Sequence, residues 1–375
     1  LDKAKYIVKT FQGLEAVLEK ELHDLGIEST EQLNRSVAFE ADFEQMMQAN
    51  LCLRTGLRIY QPLFDFEFKD EVQMYKVLNN FSWDKYIGME QTFAIENVVV
   101  TKAVKNSHFI SLKAKDAIAD YFFAKYKKRP SVDVRWPDIR IQVYISKTHN
   151  CVVSIDTTGE PLYKRGYKKR QTEASINECL AAGLILMTGW KGEKDFYDMM
   201  AGSGTLTAEA LMIASNYPVN IHREKWPFFQ LEGFSMPAFK KLQQDIRDRI
   251  ITPEIDFYVN EKANEAFDIA KMNLFDLKVN TSRLQFSRDN FFEITPNTKG
   301  ILVLNPPYDE RLEMKDIELF YKDIGDMLKR HYTGFDVWII SANKAAMKKI
   351  GLKSSIRYHI VNSNLDCEFC KYEMY

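Results

Sequence analysis

The 375-residue sequence predicts an α/β protein in which a doubly wound, Rossmann-like sheet follows a smaller α+β region. Three observations carry this expectation. From Ser175 onward, short apolar strand patterns alternate with helical stretches, as repeated βα units of a parallel sheet do. Before Pro161, strand and helix patterns also alternate, as in a small α+β domain followed by a second α/β unit. Between them, residues 161–170 are polar, basic and without periodicity, which puts the main boundary there.

The elements follow in order. Residues 6–8 read as a strand; apolar residues at 14, 17, 18, 22 and 25 keep helical spacing; residues 36–40 form a short strand before a helix from about Phe43. Residues 93–95 with 98–100, a helix across 111–126, and strands at 139–145 and 151–155 describe a second α/β unit. In the C-terminal half, residues 181–186 are helical, 195–198 end a strand, and 206–214 form a helix. Four further strands are expected at 255–259, 284–286, 300–304 and 337–340. No internal repeat or low-complexity segment interrupts them.

With 46% hydrophobic and 27% charged residues, the chain is not composed like a disordered, collagen-like or disulfide-stapled protein. No apolar run approaches the roughly 18–20 residues of a membrane span, and no basic-then-apolar leader stands at the start, so a cytoplasmic protein without membrane contact is expected. Cys367 and Cys370 have metal-like spacing but no second pair, and the six histidines are scattered, so buried thiols on a C-terminal strand are expected and no metal.

The formal net charge of −1 conceals segregation. Residues 1–97 carry −7, residues 98–170 carry +10 and residues 171–375 carry −4. Two dense runs lie in the middle segment: Lys125, Lys127, Lys128 and Arg129 around Tyr126, and Lys164, Arg165, Lys168, Lys169 and Arg170 around Tyr163 and Tyr167. Cations interleaved with aromatics suit single-stranded nucleic acid, where bases stack and phosphates pair. A solvated helix end and a basic linker are the alternative.

The chemistry-bearing residues follow strand ends. Asp198-Met199-Met200-Ala201-Gly202-Ser203-Gly204-Thr205 opens a helix, where glycines allow a sharp turn and free amides face a ligand. The third glycine of the dinucleotide fingerprint and the lysine of a phosphate loop are both missing. An acid four positions before Gly202 suits a ligand bearing an amino-acid cation. Glu261, after the next strand, can accept ribose hydroxyls, and Asp289 an exocyclic amine beside Phe291.

Asn305-Pro306-Pro307-Tyr308 ends the strand at 300–304. Two prolines remove donors and fix the backbone, so the Asn305 side chain and the Pro306 carbonyl can both accept from one nucleobase amine and aim it at an electrophilic methyl group. Tyr308 would stack on an unstacked base.

These two motifs resemble those of amino-methyltransferases that use S-adenosylmethionine. With Gln12-Gly13-Leu14-Glu15, Leu162-Tyr163-Lys164-Arg165-Gly166-Tyr167, Leu180-Ala181-Ala182, Gly189-Trp190, Glu310-Arg311-Leu312 and Asn364-Leu365-Asp366-Cys367, nearly the whole chain resembles the bacterial 23S rRNA guanine-N2 methyltransferases with an N-terminal THUMP domain, of the large-subunit methyltransferase L type. The resemblance implies a ferredoxin-like region (1–60), a THUMP RNA-binding domain (61–160) and a class I methyltransferase domain (161–375). It implies that Asp198, Ala201, Gly202, Ser203, Gly204 and Thr205 hold the methionine part of the cofactor, Glu261 the ribose and Asp289 the adenine. Asn305, also at the cofactor, and Pro306 would grip the target amine, with Pro307 and Tyr308 completing the catalytic set.

Met199-Met200-Ala201 stands where the family has Pro-x-Cys, Ala263 where it has a second acid, and Asp309 where it has glycine. L-type relatives can carry a second methyltransferase domain, and this sequence ends where that domain would begin. A THUMP-type tRNA enzyme, an adenine-N6 DNA methyltransferase and a catalytically decayed assembly factor are the competing readings. Residues 216–251, with His222, Arg223, Trp226, Phe228 and Phe229, are expected to help hold the target strand, or else to be a packing insertion.

Overall fold

Tyr6 and Val8 turn inward along β1 (Ala4–Lys9) while Lys5 faces solvent, the two-residue alternation of an interior strand, here the third of the first of two seven-stranded sheets. The structure is a computed structural model and describes residues 3–102, 104–172, 175–307, 314–362 and 365–375.

The first sheet is built from β1, α1 (Glu15–Asp24), β2 (Thr30–Leu33), β3 (Ser36–Ala41), α2 (Phe43–Cys52), β4 (Arg58–Glu67), α3 (Glu71–Asn80), β5 (Phe93–Val99), α4 (Ser107–Tyr126), β6 (Ile139–Ile145) and β7 (Asn150–Asp156), in the strand order β2-β3-β1-β4-β7-β6-β5. Two strands were not legible in the sequence. β2 is a polar edge strand with only Thr30 part-buried, and the alternation of β4 is interrupted at Pro62, where its register against β7 shifts. Ten residues long, β4 pairs with β1 at one end and with β7 along its length, so it joins the two halves of this sheet.

The second sheet follows from α5 (Glu178–Met187), β8 (Asp195–Asp198), α6 (Thr205–Ala214), α7 (Met236–Arg247), β9 (Phe257–Asn260), α8 (Asn264–Phe275), β10 (Leu284–Ser287), β11 (Gly300–Leu304), α9 (Met314–His331), β12 (Asp336–Ser341), α10 (Lys344–Lys349), β13 (Ile356–Asn362) and β14 (Leu365–Glu373). Its order is β10-β9-β8-β11-β12-β14-β13, parallel through β12 and antiparallel beyond. Every residue of β11 is buried, with Ile301 and Val303 on one face and Leu302 and Leu304 on the other, so both faces are covered. Sequence order reverses between β8 and β11, and the crevice at that switch point is where such sheets bind ligands. On β14, Cys367 and Cys370 are buried in the clusters on opposite sheet faces, so the two thiols point apart.

The sheets share a core. Leu14 is fully buried beneath Gly183 of α5, where a methyl group on the glycine would come within 2.5 Å of the Leu14 side chain. The insertion at 216–251 packs rather than presenting its rings to a ligand: Trp226, Phe228 and Phe239 are buried together, and Arg223 donates to the carbonyls of Thr158 and Glu160. Trp226 and Phe228 are taken up by this packing, as the packing alternative expects, while Phe229 is half-buried and His222 exposed. No helix among the described residues is long and apolar enough to cross a membrane.

Candidate active site

The loop after β8 is shaped by two glycines at positive φ, Gly202 (+55°) and Gly204 (+77°). At Gly204 a side chain would press on Ala270 and Leu274 at 3.3 Å, so its absence lets α6 lie against α8. The Gly202 amide donates to Glu261 Oε2 at 2.9 Å, and the Ala263 amide to Glu261 Oε1 at 2.9 Å, which fixes the carboxylate at the end of β9. Ser203 is held by Ser175 at 2.9 Å and faces Thr205 at 3.1 Å.

These elements enclose a cavity of about 730 Å³ at the switch point, within the usual range for a small-molecule site. Ala201, Gly202, Ser203, Thr205, Glu261, Asn305, Pro306 and Pro307 line it, as do Phe291 and Phe292. Asn305 Oδ1 is buried there with no hydrogen-bond partner. An unpaired buried acceptor is costly, so this oxygen is suited to a donor brought by a ligand.

Three expected cofactor residues lie outside the lining. Asp198 has no exposed surface; its Oδ2 accepts from the Thr207 hydroxyl at 2.9 Å and amide at 3.3 Å, and its Oδ1 is unpaired. Burial pushes its carboxyl up to about 7, against the pull of the Thr207 hydrogen bonds. The expectation of direct contact is therefore corrected: Asp198 lies beneath the loop and pins the first turn of α6. Gly204 is likewise a packing residue. The exposed Asp289 is held by its backbone, since its amide donates to Asn260 Oδ1 at 2.9 Å and its carbonyl accepts from Asn260 Nδ2 at 3.1 Å. Tyr308 and Asp309 lie outside the described residues.

Sequence reasoning missed the residues that hold these loops. Asn260 also donates to the Met199 carbonyl, Asn273 donates to the carbonyls of Ser203 and Arg170, and Tyr321 donates to that of Pro307. Asn260 stood next to a selected acid, but Asn273 and Tyr321 sit inside helices with no local signal.

The basic runs separate by burial. Lys125, Lys128 and Arg129 are exposed and paired with Asp84, Glu90 and Asp120, while Lys127 has no acidic partner among the described residues. Lys164 and Lys169 are exposed and pair with Glu160 and Asp276; Arg170 is exposed. Arg165 and Lys168 are corrections. The Arg165 side chain is 1% exposed and locked onto Glu209 of α6, which Tyr167 also reaches at 2.9 Å. Lys168 is 5% exposed and donates to the Ile176 carbonyl at 2.7 Å. Their charges are matched by internal partners, although both residues border a second cavity. This cavity, of about 590 Å³, adjoins the first through Ser175, Ile176 and Asn362 and is lined by Tyr163, Lys164, Arg165 and Lys168.

Comparison with known proteins assigns this arrangement to a family. Residues 165–371 match the RMKL-like methyltransferase domain, 68–156 the THUMP domain and 5–60 the RlmL ferredoxin-like domain. The chain is 32% identical to "Putative RNA methyltransferase slr0064" of Synechocystis, covering 99% of this chain and 97% of that one. It is 31% identical to the ribosomal RNA large subunit methyltransferase K/L of Marinomonas over 95% of its length, and spans about half (50%) of that longer protein. The solved structure of SMU.472, "a putative methyltransferase complexed with SAH", shares the fold with a TM-score of 0.90 at 24% identity over 100% of this chain and 99% of that one. The chain belongs to the RMKL-like methyltransferase family, its α/β methyltransferase domain preceded by ferredoxin-like and THUMP domains.

Proposed function

We propose that the chain transfers a methyl group from S-adenosylmethionine to the exocyclic N2 amine of a guanine in 23S rRNA, in the cytoplasm, through domains spanning about 1–60, 61–160 and 161–375. One observation carries this reading: the unpaired, buried Asn305 Oδ1 at the carboxyl end of β11, facing a cavity at the switch point. The choice of large-subunit rRNA leans on the K/L relatives, and the methyl donor on the family and on the S-adenosylhomocysteine-bound structural relative.

The residues fit such a donor. The Ala201–Gly202 turn with Ser203 and Thr205 offers amides and hydroxyls to its amino-acid end, and Glu261 keeps lone pairs for ribose hydroxyls; Asp289, outside the cavity lining, would have to reach the adenine from the adjoining loop. Asp198 Oδ1, beneath the loop and without a partner, leaves an acceptor lone pair under the amino-acid cation. When bound, S-adenosylmethionine supplies an electrophilic methyl group on a sulfonium. Asn305 Oδ1, with the Pro306 carbonyl, accepts hydrogens from the target amine and orients its lone pair, a contribution of positioning and electrostatics. The proton leaves readily once the nitrogen is alkylated, so no strong base is required.

Incubation with labelled S-adenosylmethionine and separate unmodified 23S, 16S and tRNA pools tests the reading. Label is expected as N2-methylguanine in 23S rRNA. Transfer to tRNA alone would overturn the substrate, and no transfer with no cofactor binding would favour an assembly factor. Asn305→Ala should cut transfer by about 100-fold or more while RNA binding persists.

A further inference from the structure

Four of the five tryptophans are buried: Trp83, Trp190, Trp226 and Trp338 are each 3% exposed or less. Trp136 is 76% exposed, and its neighbour Val134 is 74% exposed. A large aromatic side chain left in water forgoes burial worth a few kcal/mol, so its presentation at a loop tip points to a partner that covers it.

The loop is held at both ends. The Asp133 amide donates to the Phe93 carbonyl at 3.2 Å, and Asp133 Oδ1 accepts from the amides of Arg135 (2.9 Å) and Trp136 (3.0 Å). On the far side, Asp138 Oδ2 accepts from the Thr92 amide at 2.8 Å and hydroxyl at 2.9 Å. Both acids of the loop are thus turned to internal donors, and the backbone that carries the indole is held before binding.

The surrounding charge is positive. Arg135 makes no direct salt bridge among the described residues, although Asp133 lies within electrostatic reach of it and of Arg140; Arg140 reaches the Arg135 carbonyl at 3.5 Å, and the basic end of α4 precedes the loop. There, Lys127 and Arg129 lie over the ring of Phe123, itself 49% exposed. An exposed π-face among solvent-exposed cations is complementary to a nucleobase carried on a phosphate backbone.

We infer that Trp136 is a stacking platform for an unpaired base of the RNA substrate, with Arg135 and Lys127 meeting the adjoining phosphates. The inference rests on the RNA-methyltransferase reading above, and names the base contact that reading lacks in the THUMP region.

Acrylamide quenching of the intact chain tests it, because Trp136 supplies the accessible emission. Binding of an unmodified 23S rRNA transcript should lower the quenching slope to that of the Trp136→Leu protein. Trp136→Ala should weaken binding by about 5- to 100-fold with the salt dependence unchanged, and Trp136→Phe should recover most of it. Undiminished affinity of the alanine variant, with Trp136 still quenchable in the wild-type complex, would overturn the inference and leave RNA binding intact. Absence of wild-type binding to 23S, 16S and tRNA alike would overturn both. Unchanged thermal unfolding of the variants separates lost contact from lost fold.

Discussion

The Tyr321 hydroxyl donates to the Pro307 carbonyl oxygen across 3.3 Å, while Ser341 at the end of β12 holds the same hydroxyl at 2.8 Å. Tyr321 is fully buried, so α9 and β12 together brace the segment that carries Asn305. A neutral hydrogen bond of this kind is worth about 1 kcal/mol. Tyr321→Phe should therefore slow single-turnover methyl transfer by roughly 3- to 10-fold, with the affinity for S-adenosylmethionine unchanged. An equal loss of cofactor affinity would show that the brace acts on the whole cavity.

Arg165 and Lys164 are adjacent in sequence and opposite in consequence. Arg165→Ala strands Glu209 as a buried, unpaired charge and should cost about 3–5 kcal/mol in urea unfolding. Lys164→Ala removes an exposed pair with Glu160 and should stay within about 1 kcal/mol of the parent. Only the Lys164 change should lower the salt dependence of RNA binding.

Asp198 gives a pH signature. The folded chain keeps this carboxyl protonated to about 7, whereas an unfolded aspartate releases its proton near the ordinary value of 3.8. The folded state therefore binds more protons in that window, and stability falls as pH rises through it. Asp198→Asn lacks this loss, so its advantage over the parent, without ligand, should grow from about pH 4 to about pH 7 and then level. A gap of roughly 2–4 kcal/mol is expected from denaturation at pH 5 and pH 8.

Gly13 marks the docking of the first sheet's module on the second sheet. Its φ is +93°, and an added methyl would sit 2.6 Å from the backbone oxygen of His359 on β13. Gly26 also has positive φ (+79°) but open space around it. Gly26→Ala should cost only backbone strain, about 1 kcal/mol, and Gly13→Ala at least about 2 kcal/mol, measured by thermal unfolding.

Much of the fold was legible because burial on both faces leaves a continuous apolar run, as in β11, and helices on one face leave a periodic stripe. The Gly202–Gly204 turn and Asn305-Pro306-Pro307 were legible because special backbone demands special residues. β2, β4, β13 and the antiparallel pairing of β14 were not, since a polar edge, an interrupting proline and a choice of partner leave no local pattern, whereas β14 itself was expected from its buried cysteines.

The sequence alone determined the succession of βα units, the turn that opens α6 and the acceptor at the end of β11, because each depends on residues within a few positions of one another. Tertiary structure decided which cations face water and which sidechains reach the cavity. Arg165 is internal because Glu209, 44 residues later, arrives beside it; Asp198 is sealed because α6 closes over it; and Trp136 is bare because the start of β5 ties down the backbone of its loop and leaves the ring uncovered among the described residues. Burial is a property of what arrives from elsewhere in the chain, and no short stretch of sequence carries it.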